Sequence, residues 1–318
     1  MYVGIDVGGT SIKYGLVDSK GNIVAKDTLV TSFEKEELLQ NLADIVEKYV
    51  SSSPETIEGV GISMPGIVQE DGFLLTAGAI RSCYGINLKE EMEKRTGILT
   101  KVENDANSVA IAEKWVGNAT NYRNYLCVTL GTGVGGGIVI NDQVYRGANG
   151  MAGEFGWMII DGIQGIEDIE TQSITQRAAI VCGLINRYNC QAWNVGLEKV
   201  TDARDIFKKE KAGEALAIKV IDQFFDDLAV GLLNLIGCFD PDAILIGGAI
   251  SSDETFIKRI QARLLKLEHQ HESMSYLIGK ILPPLVATGL NNDAGLLGAV
   301  YQVKLIDKRL RLEKEMAN

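Results

Sequence analysis

Short apolar runs and helical faces alternate from the start of the chain. Residues 2–7 form an apolar run broken at Gly8-Gly9-Thr10, and Ile12 to Val17 form a second. The polar turn Asp18-Ser19-Lys20-Gly21-Asn22 leads into Ile23-Val24. Runs of this length, bounded by Gly, Asp, Asn and Ser, predict strands joined by turns. Residues 33–50 change to helical period, with Leu38, Leu42, Ile45, Val46 and Tyr49 on one face. Gly59 to Ser63 reads as a strand stopped by Pro65-Gly66. Asn87-Leu88-Lys89-Glu90 resembles a capping box with Asn in the Ser/Thr place, opening a short helix that ends before Gly97. Asn104 to Val116 predicts another helix. This alternation predicts an α/β fold.

The pattern then restarts. Tyr125 to Leu130 runs into Gly131-Thr132-Gly133-Val134-Gly135-Gly136-Gly137, then Ile138 to Ile140, the turn Asn141-Asp142, and Val144-Tyr145. A shift of 123 positions (131 − 8) lays Gly8 on Gly131 and the Asp18-Ser19 turn on Asn141-Asp142. The expectation is two similar α/β domains around a cleft, each offering a glycine hairpin to it. Further on, Glu214 to Phe239 predicts a long helix stopped by Asp240-Pro241. Ala243 to Ile246 predicts a buried strand ending at Gly247-Gly248, and Ile257 to Leu267 and Ala294 to Leu305 predict helices. The expected boundaries are 1–117 for the N-terminal domain, with a C-terminal helix in 294–318 packing back onto it, and 118–293 for the second.

Composition narrows the function classes. Hydrophobic residues at 46% and charged residues at 23% describe an ordinary globular chain. The uncharged run from Tyr125 to Asn141 is too rich in glycine for a membrane helix. The start Met1-Tyr2-Val3-Gly4 lacks a basic segment and an apolar core, and the five cysteines include no C-x-x-C pair. Both features predict a reduced, cytoplasmic protein. A net charge of −11 argues against a broad nucleic-acid surface, though backbone N–H groups can still hold a nucleotide's phosphates. Trp193 and the cysteines are expected to be packing residues, and His269 and His271 solvated.

The 35 glycines concentrate at turns directly after strands: Gly8-Gly9-Thr10, Gly131-Thr132-Gly133 and Gly247-Gly248. Such turns let N–H groups approach an anion without a Cβ in the way. Gly131 to Gly136 fits G-x-G-x-x-G, but β-branched residues follow where a dinucleotide fingerprint needs a helix, so a hairpin is expected. Asp6, ahead of the first turn, either caps that turn or holds Mg²⁺ through water beside the phosphates. Glu103-Asn104-Asp105-Ala106-Asn107 packs four polar residues into a strand–helix junction. Helix capping explains one of them. The density suits binding a polyol and accepting a hydroxyl proton. Glu154 is a further carboxylate in a glycine-rich apolar stretch.

Asp6-Val7-Gly8-Gly9-Thr10 with Lys13, Glu103 to Asn107, Leu130 to Gly137, and Ala152-Gly153-Glu154-Phe155-Gly156 together resemble the ROK family of sugar kinases and sugar-responsive repressors. That resemblance covers essentially the whole chain and implies an actin-like, hexokinase-like ATPase fold. It implies that Asp105 is the catalytic base and that Asn104, Asp105 and Glu154 bind the sugar. The turns at 8–10 and 131–133, with Asp6 and Lys13, would serve the phosphates of ATP and its Mg²⁺, and Gly247-Gly248 would border the adenosine.

Two departures stand out. Trp157 occupies the place of a His found in most such kinases, and Met158 to Ile169 contains neither Cys nor His, so no structural zinc is expected. Glu170, beyond that gap, matches the family's last sugar-binding Glu. With these changes, segments such as Gly78-Ala79-Ile80-Arg81 resemble the bacterial β-glucoside kinase subgroup. That implies phosphorylation of the 6-hydroxyl of a glucosyl unit, as in cellobiose. Trp157 then either contacts substrate or fills the core. N-acetylmannosamine kinase and glucokinase are alternatives, as is a non-catalytic sugar-sensing regulator. The first strand at residue 2 leaves no space for a helix-turn-helix, which favours the kinase. The expected partners are a small sugar and a second copy of the chain, with no nucleic acid and no membrane.

Overall fold

The computed structural model describes residues 1–251 and 253–317. The first part contains β1 (Tyr2–Val7), β2 (Ser11–Val17), β3 (Ile23–Val30), α1 (Lys35–Ser52), β4 (Gly59–Met64), α2 (Leu88–Thr96), β5 (Thr100–Asn104) and α3 (Asp105–Val116). The middle contains β6 (Tyr125–Leu130), β7 (Val134–Ile140), β8 (Gln143–Val144), α4 (Ile174–Ala178), α5 (Asn186–Asn194), α6 (Ala203–Lys211) and α7 (Ala215–Phe239). The chain closes with β9 (Ala243–Gly247), α8 (Glu254–Gln270), α9 (Glu272–Ser275), β10 (Leu285–Ala287) and α10 (Ala294–Ala317).

The strands form two five-stranded sheets, ordered β3-β2-β1-β4-β5 and β10-β9-β6-β7-β8. Read from its other edge, the second repeats the plan of the first, so the internal echo in the sequence is a repeat of topology. In the first sheet β1 and β2 pair antiparallel, while β1, β4 and β5 run parallel. In the second, β6, β9 and β10 run parallel and β7 and β8 antiparallel. This is the α/β architecture of the actin-like, hexokinase-like ATPases.

The chain divides into two units, one of residues 1–122, 137–152 and 289–318, the other of 123–136 and 153–288. Residues 118–122, 137–152 and 289–293, expected in the second domain, belong to the first. Gly137 has no Cβ to meet Ala110, which would lie 2.9 Å away, and Asp142 pairs with Lys114 at 2.7 Å.

Within the first unit, one face of the sheet presents Val3, Ile5 and Val7 to Leu38, Leu42 and Val46 of α1. The other face is cut back with glycine. A Cβ on Gly4 would lie 2.7 Å from Leu296, and one on Gly61 would lie 2.2 Å from the Ala299 carbonyl oxygen. Close backbone approach of α10 therefore requires glycine there. Within the second unit, α7 stops at Asp240, whose φ of 42° is left-handed, immediately before Pro241. Phe224, Phe225 and Phe256 join α7 to α8, with ring centroids 5.2–6.1 Å apart.

Trp193 is not a packing residue: it is 74% exposed. On α5 the buried positions are Tyr188 and Ala192, and one further residue rotates the side chain about 100° off that face. Cys190 and Cys238 are exposed as well, whereas Cys83 and Cys127 are buried. Among the described residues no helix is long and apolar enough to cross a membrane.

Candidate functional site

In the first unit the candidate residues gather at the carboxyl edge of the parallel strands, where α/β sheets bind ligands. Asp6 lies opposite Lys13 across β1/β2 and opposite Ser63 across β1/β4. Ser63 Oγ donates to Asp6 Oδ1 at 2.8 Å. The same oxygen would lie 2.4 Å from a Cβ on Gly295, so the first turn of α10 needs glycine to admit the carboxylate. Burial pushes the Asp6 carboxyl up, opposed by the Ser63 hydrogen bond and the Lys13 charge. The turn that follows is held by Gly8 N–H donating to Ser11 O at 3.0 Å and Thr31 Oγ1 donating to Gly8 O at 2.7 Å. Gly9 has open space where a Cβ would stand, and Thr10 is exposed. Lys13 Nζ reaches Asn292 Oδ1 at 3.4 Å.

Two parallel strands away, about 10 Å at ordinary strand spacing, β5 runs without a loop into α3. Asn104 caps that helix, its Oδ1 accepting from Asn107 N–H at 3.0 Å. Its amide donates to Gly66 O at 2.8 Å and to Asp105 Oδ1 at 3.0 Å. Asp105 Oδ1 also accepts from Ala106 N–H at 2.8 Å, and the residue is exposed. A carboxylate fixed at a helix start and exposed to solvent is suited to accept a proton.

The residues beneath this junction carry a network that the sequence did not signal. Glu103 is 2% exposed. Its Oε1 accepts from Asn104 N–H at 3.1 Å and from Asn107 Nδ2 at 3.2 Å. Its Oε2 meets Arg146 through Nε at 3.2 Å and through Nη2. Lys101, on the same strand face, donates to Glu70 O at 2.5 Å, and burial pushes its ammonium down. Only the density of polar residues at 103–107 hinted at this, since Arg146 is 43 residues from Glu103.

In the second unit, β6 ends at the turn Gly131-Thr132-Gly133 and β9 ends beside it, with Thr129 opposite Gly247. Gly248 has a φ of +107°, and a Cβ there would lie 2.2 Å from Leu130 O. Next to it opens a cavity of about 490 Å³ whose lining includes Phe207, Ile250, Phe256 and Arg259. Arg259 stands 4.4 Å over the Phe225 ring and pairs bidentately with Glu210 at 2.8 and 2.9 Å. In the sequence only Gly247-Gly248 points to this region, because most of the lining comes from α6 and α8, ordinary in pattern, and only Ala249, Ile250 and Asp253 come from the loop after Gly248.

Glu154 precedes the 3-10 turn Phe155–Trp157. Burial pushes its carboxyl up. Trp157 is 59% exposed, so it does not fill the core. Glu170 lies exposed in a second 3-10 turn, Ile169–Gln172, capped by Asp168. The two turns are joined by main chain, Ile160 N–H donating to Gln172 O at 3.0 Å and Ile174 N–H to Met158 O at 2.8 Å.

Residues 2–305 match the ROK family. The chain belongs to that family. It is 33% identical over 299 residues to a β-glucoside kinase of Listeria monocytogenes, covering 93% of this chain and 95% of the relative. It is 32% identical over 336 residues to a glucokinase of Halalkalibacterium halodurans, covering 95% and 94%. A ROK family glucokinase from Streptomyces griseus, solved with glucose and AMPPNP, superposes with a TM-score of 0.76 at 27% identity, covering 95% of this chain and 98% of that one. This ROK chain is accordingly an ATP-dependent carbohydrate kinase.

Proposed function

We propose that the acceptor is the 6-hydroxyl of a glucosyl unit in a β-glucoside such as cellobiose, and that the kinase works in the cytoplasm as a homodimer. The observation that carries the acceptor reading is Trp157, an exposed indole three residues after the partly buried Glu154. A β-linked aglycone needs an apolar surface beside the glucosyl ring, and an indole provides one. The β-glucoside kinase of Listeria monocytogenes, similar along nearly the whole chain, supports the same reading. Asn104, Glu154 and Glu170 would hold sugar hydroxyls, and Asp105 would take the proton as the hydroxyl oxygen attacks the γ-phosphorus. The turns Gly8-Gly9-Thr10 and Gly131-Thr132-Gly133 would hold phosphates through N–H groups other than those of Gly8 and Gly131, which close the turns onto Ser11 O and Gly133 O, with Lys13 nearby. The cavity beside Gly247-Gly248 would receive the base.

Asp6 fits a Mg²⁺ held through water. Its Oδ1 is taken by Ser63, and among the described residues no hydrogen bond engages Oδ2. Bound there, the ion would neutralise charge on the transferring phosphoryl group. Among the described residues no three His, Cys, Asp or Glu side chains gather to hold a metal ion. We expect EDTA to abolish activity and Mg²⁺ or Mn²⁺ alone to restore it. Stoichiometric zinc in the purified protein, found by elemental analysis, would overturn the assignment of a zinc-free chain.

The acceptor is tested by ADP release across glucose, N-acetylmannosamine, fructose, cellobiose and gentiobiose. The expected order places cellobiose or gentiobiose first by kcat/KM. Preference for free glucose, as the name of the Halalkalibacterium relative would suggest, overturns it. Trp157→His should weaken use of cellobiose about fivefold more than use of glucose, the equivalent of about 1 kcal/mol of ring stacking. Equal losses on both sugars would remove Trp157 from acceptor choice.

A further inference from the structure

We propose that Thr175 is a positioning residue that couples the sugar-side turn to the phosphate-side turn, so that acceptor binding tightens nucleotide binding. The proposal rests on the assignment of Glu154 and Glu170 to the sugar and of Gly131-Thr132-Gly133 to the phosphates. Its physical basis is one short stretch, Ser173 to Ile185, bonded at one end to the first group and at the other to the second.

At the sugar end, Ser173 N–H donates to Glu170 O at 2.8 Å and Ile174 N–H donates to Met158 O, directly after Trp157, at 2.8 Å. In the middle, Thr175 Oγ1 accepts the N–H of Val134 at 3.1 Å, at the foot of the Gly131–Gly133 turn. The same hydroxyl lies against Gly156, where a Cβ would come within 2.5 Å of it and within 2.5 Å of Val134 O. Thr175 thus touches both turns at one atom. At the far end begins the π-helical turn Ile180–Ile185. Ile180 and Val181 N–H both donate to Gly131 O at 3.1 Å, and Cys182 N–H donates to Thr132 O at 3.3 Å. These bonds draw the carbonyls of the phosphate turn toward the helix, and planar peptides then turn the N–H groups that follow them the other way. Glycine at 183 lets this wider turn pass close to the end of α4, because a Cβ there would lie 2.7 Å from Ala178 N.

A ligand can shift a second site only through an element that both contact and that has different energies in the two states. A sugar that orders Glu154 and Glu170 fixes Phe155–Trp157, hence Gly156 against Thr175, hence the Val134 peptide and the turn before it.

Thr175→Val keeps the shape and removes the acceptor; Thr175→Ser restores it. The measurement is the dissociation constant of AMPPNP with and without saturating cellobiose or glucose, on the full chain with Mg²⁺. In the parent we expect sugar to tighten AMPPNP by about tenfold. In Thr175→Val that ratio should fall below about threefold, with KM for ATP raised more than kcat is lowered, and Thr175→Ser should recover most of it. A parent-like ratio in Thr175→Val, or no ratio in the parent with any sugar, overturns the proposal. The acceptor reading is judged separately, by the rank order of sugars in ADP release, which Thr175→Val should leave intact. Thr175→Ser with a parent-like melting curve and no recovery of the ratio also counts against the hydroxyl.

Discussion

Asp105→Asn is expected to lose at least about a hundredfold in kcat while AMPPNP binding stays within about twofold of the parent. The magnitude is the lower range for removing a general base. The substitution is nearly isosteric, and the amide oxygen can still accept the Ala106 N–H that holds Asp105 Oδ1 at 2.8 Å. What disappears is the basicity needed to take the proton of the attacking hydroxyl, in a reaction otherwise governed by positioning and charge. Single-turnover phosphorylation alongside equilibrium AMPPNP binding separates the two effects. Turnover within about tenfold of the parent would take Asp105 out of the proton transfer.

The second large effect is expected beneath the same junction. Glu103 is buried and its Oε2 is held by Arg146, while Oε1 takes the Asn104 N–H and the Asn107 amide. Arg146→Met should cost about 3 kcal/mol of stability, because removing one partner strands a buried charge. Denaturant unfolding reads this directly. Since Glu103 also orients Asn104 and Asn107, kcat should fall in the folded fraction too. Arg146→Lys keeps the charge but loses the two-pronged geometry, and should recover only part of the loss. An Arg146→Met protein as stable as the parent would show that the pair contributes nothing.

How much of this was legible depended on where the physical constraint lay. The glycine turns were readable because backbone approach or left-handed φ excludes other residues, as at Gly248. The Asn104 cap was readable because capping leaves a local signature. The three-residue strand β10, directly after Pro283-Pro284, was not, since it is fixed by pairing with β9 rather than by its own pattern. Nor were α5 and α6, which at nine residues each show only about two and a half turns of the helical period. The Arg146–Glu103 pair and the Thr175 contacts are tertiary, and no spacing rule joins residues about 40 apart. Trp193 is the opposite case: its large aromatic ring suggests core, while its neighbour Ala192 holds the buried position.

The division of the first unit among three chain segments governs the order in which the protein can be made. Its sheet is complete by residue 104, yet the face holding Gly4, Gly59 and Gly61 stays uncovered until Leu296, Ala299, Val300 and Val303 arrive. During synthesis from the N-terminus, that glycine-lined face is exposed while nearly two hundred further residues emerge, including the whole second unit. The second unit can therefore mature first, and the first is sealed last by the helix that also brings Gly295 against Asp6. Nascent chains stalled before residue 294 would hold a folded half and an open one.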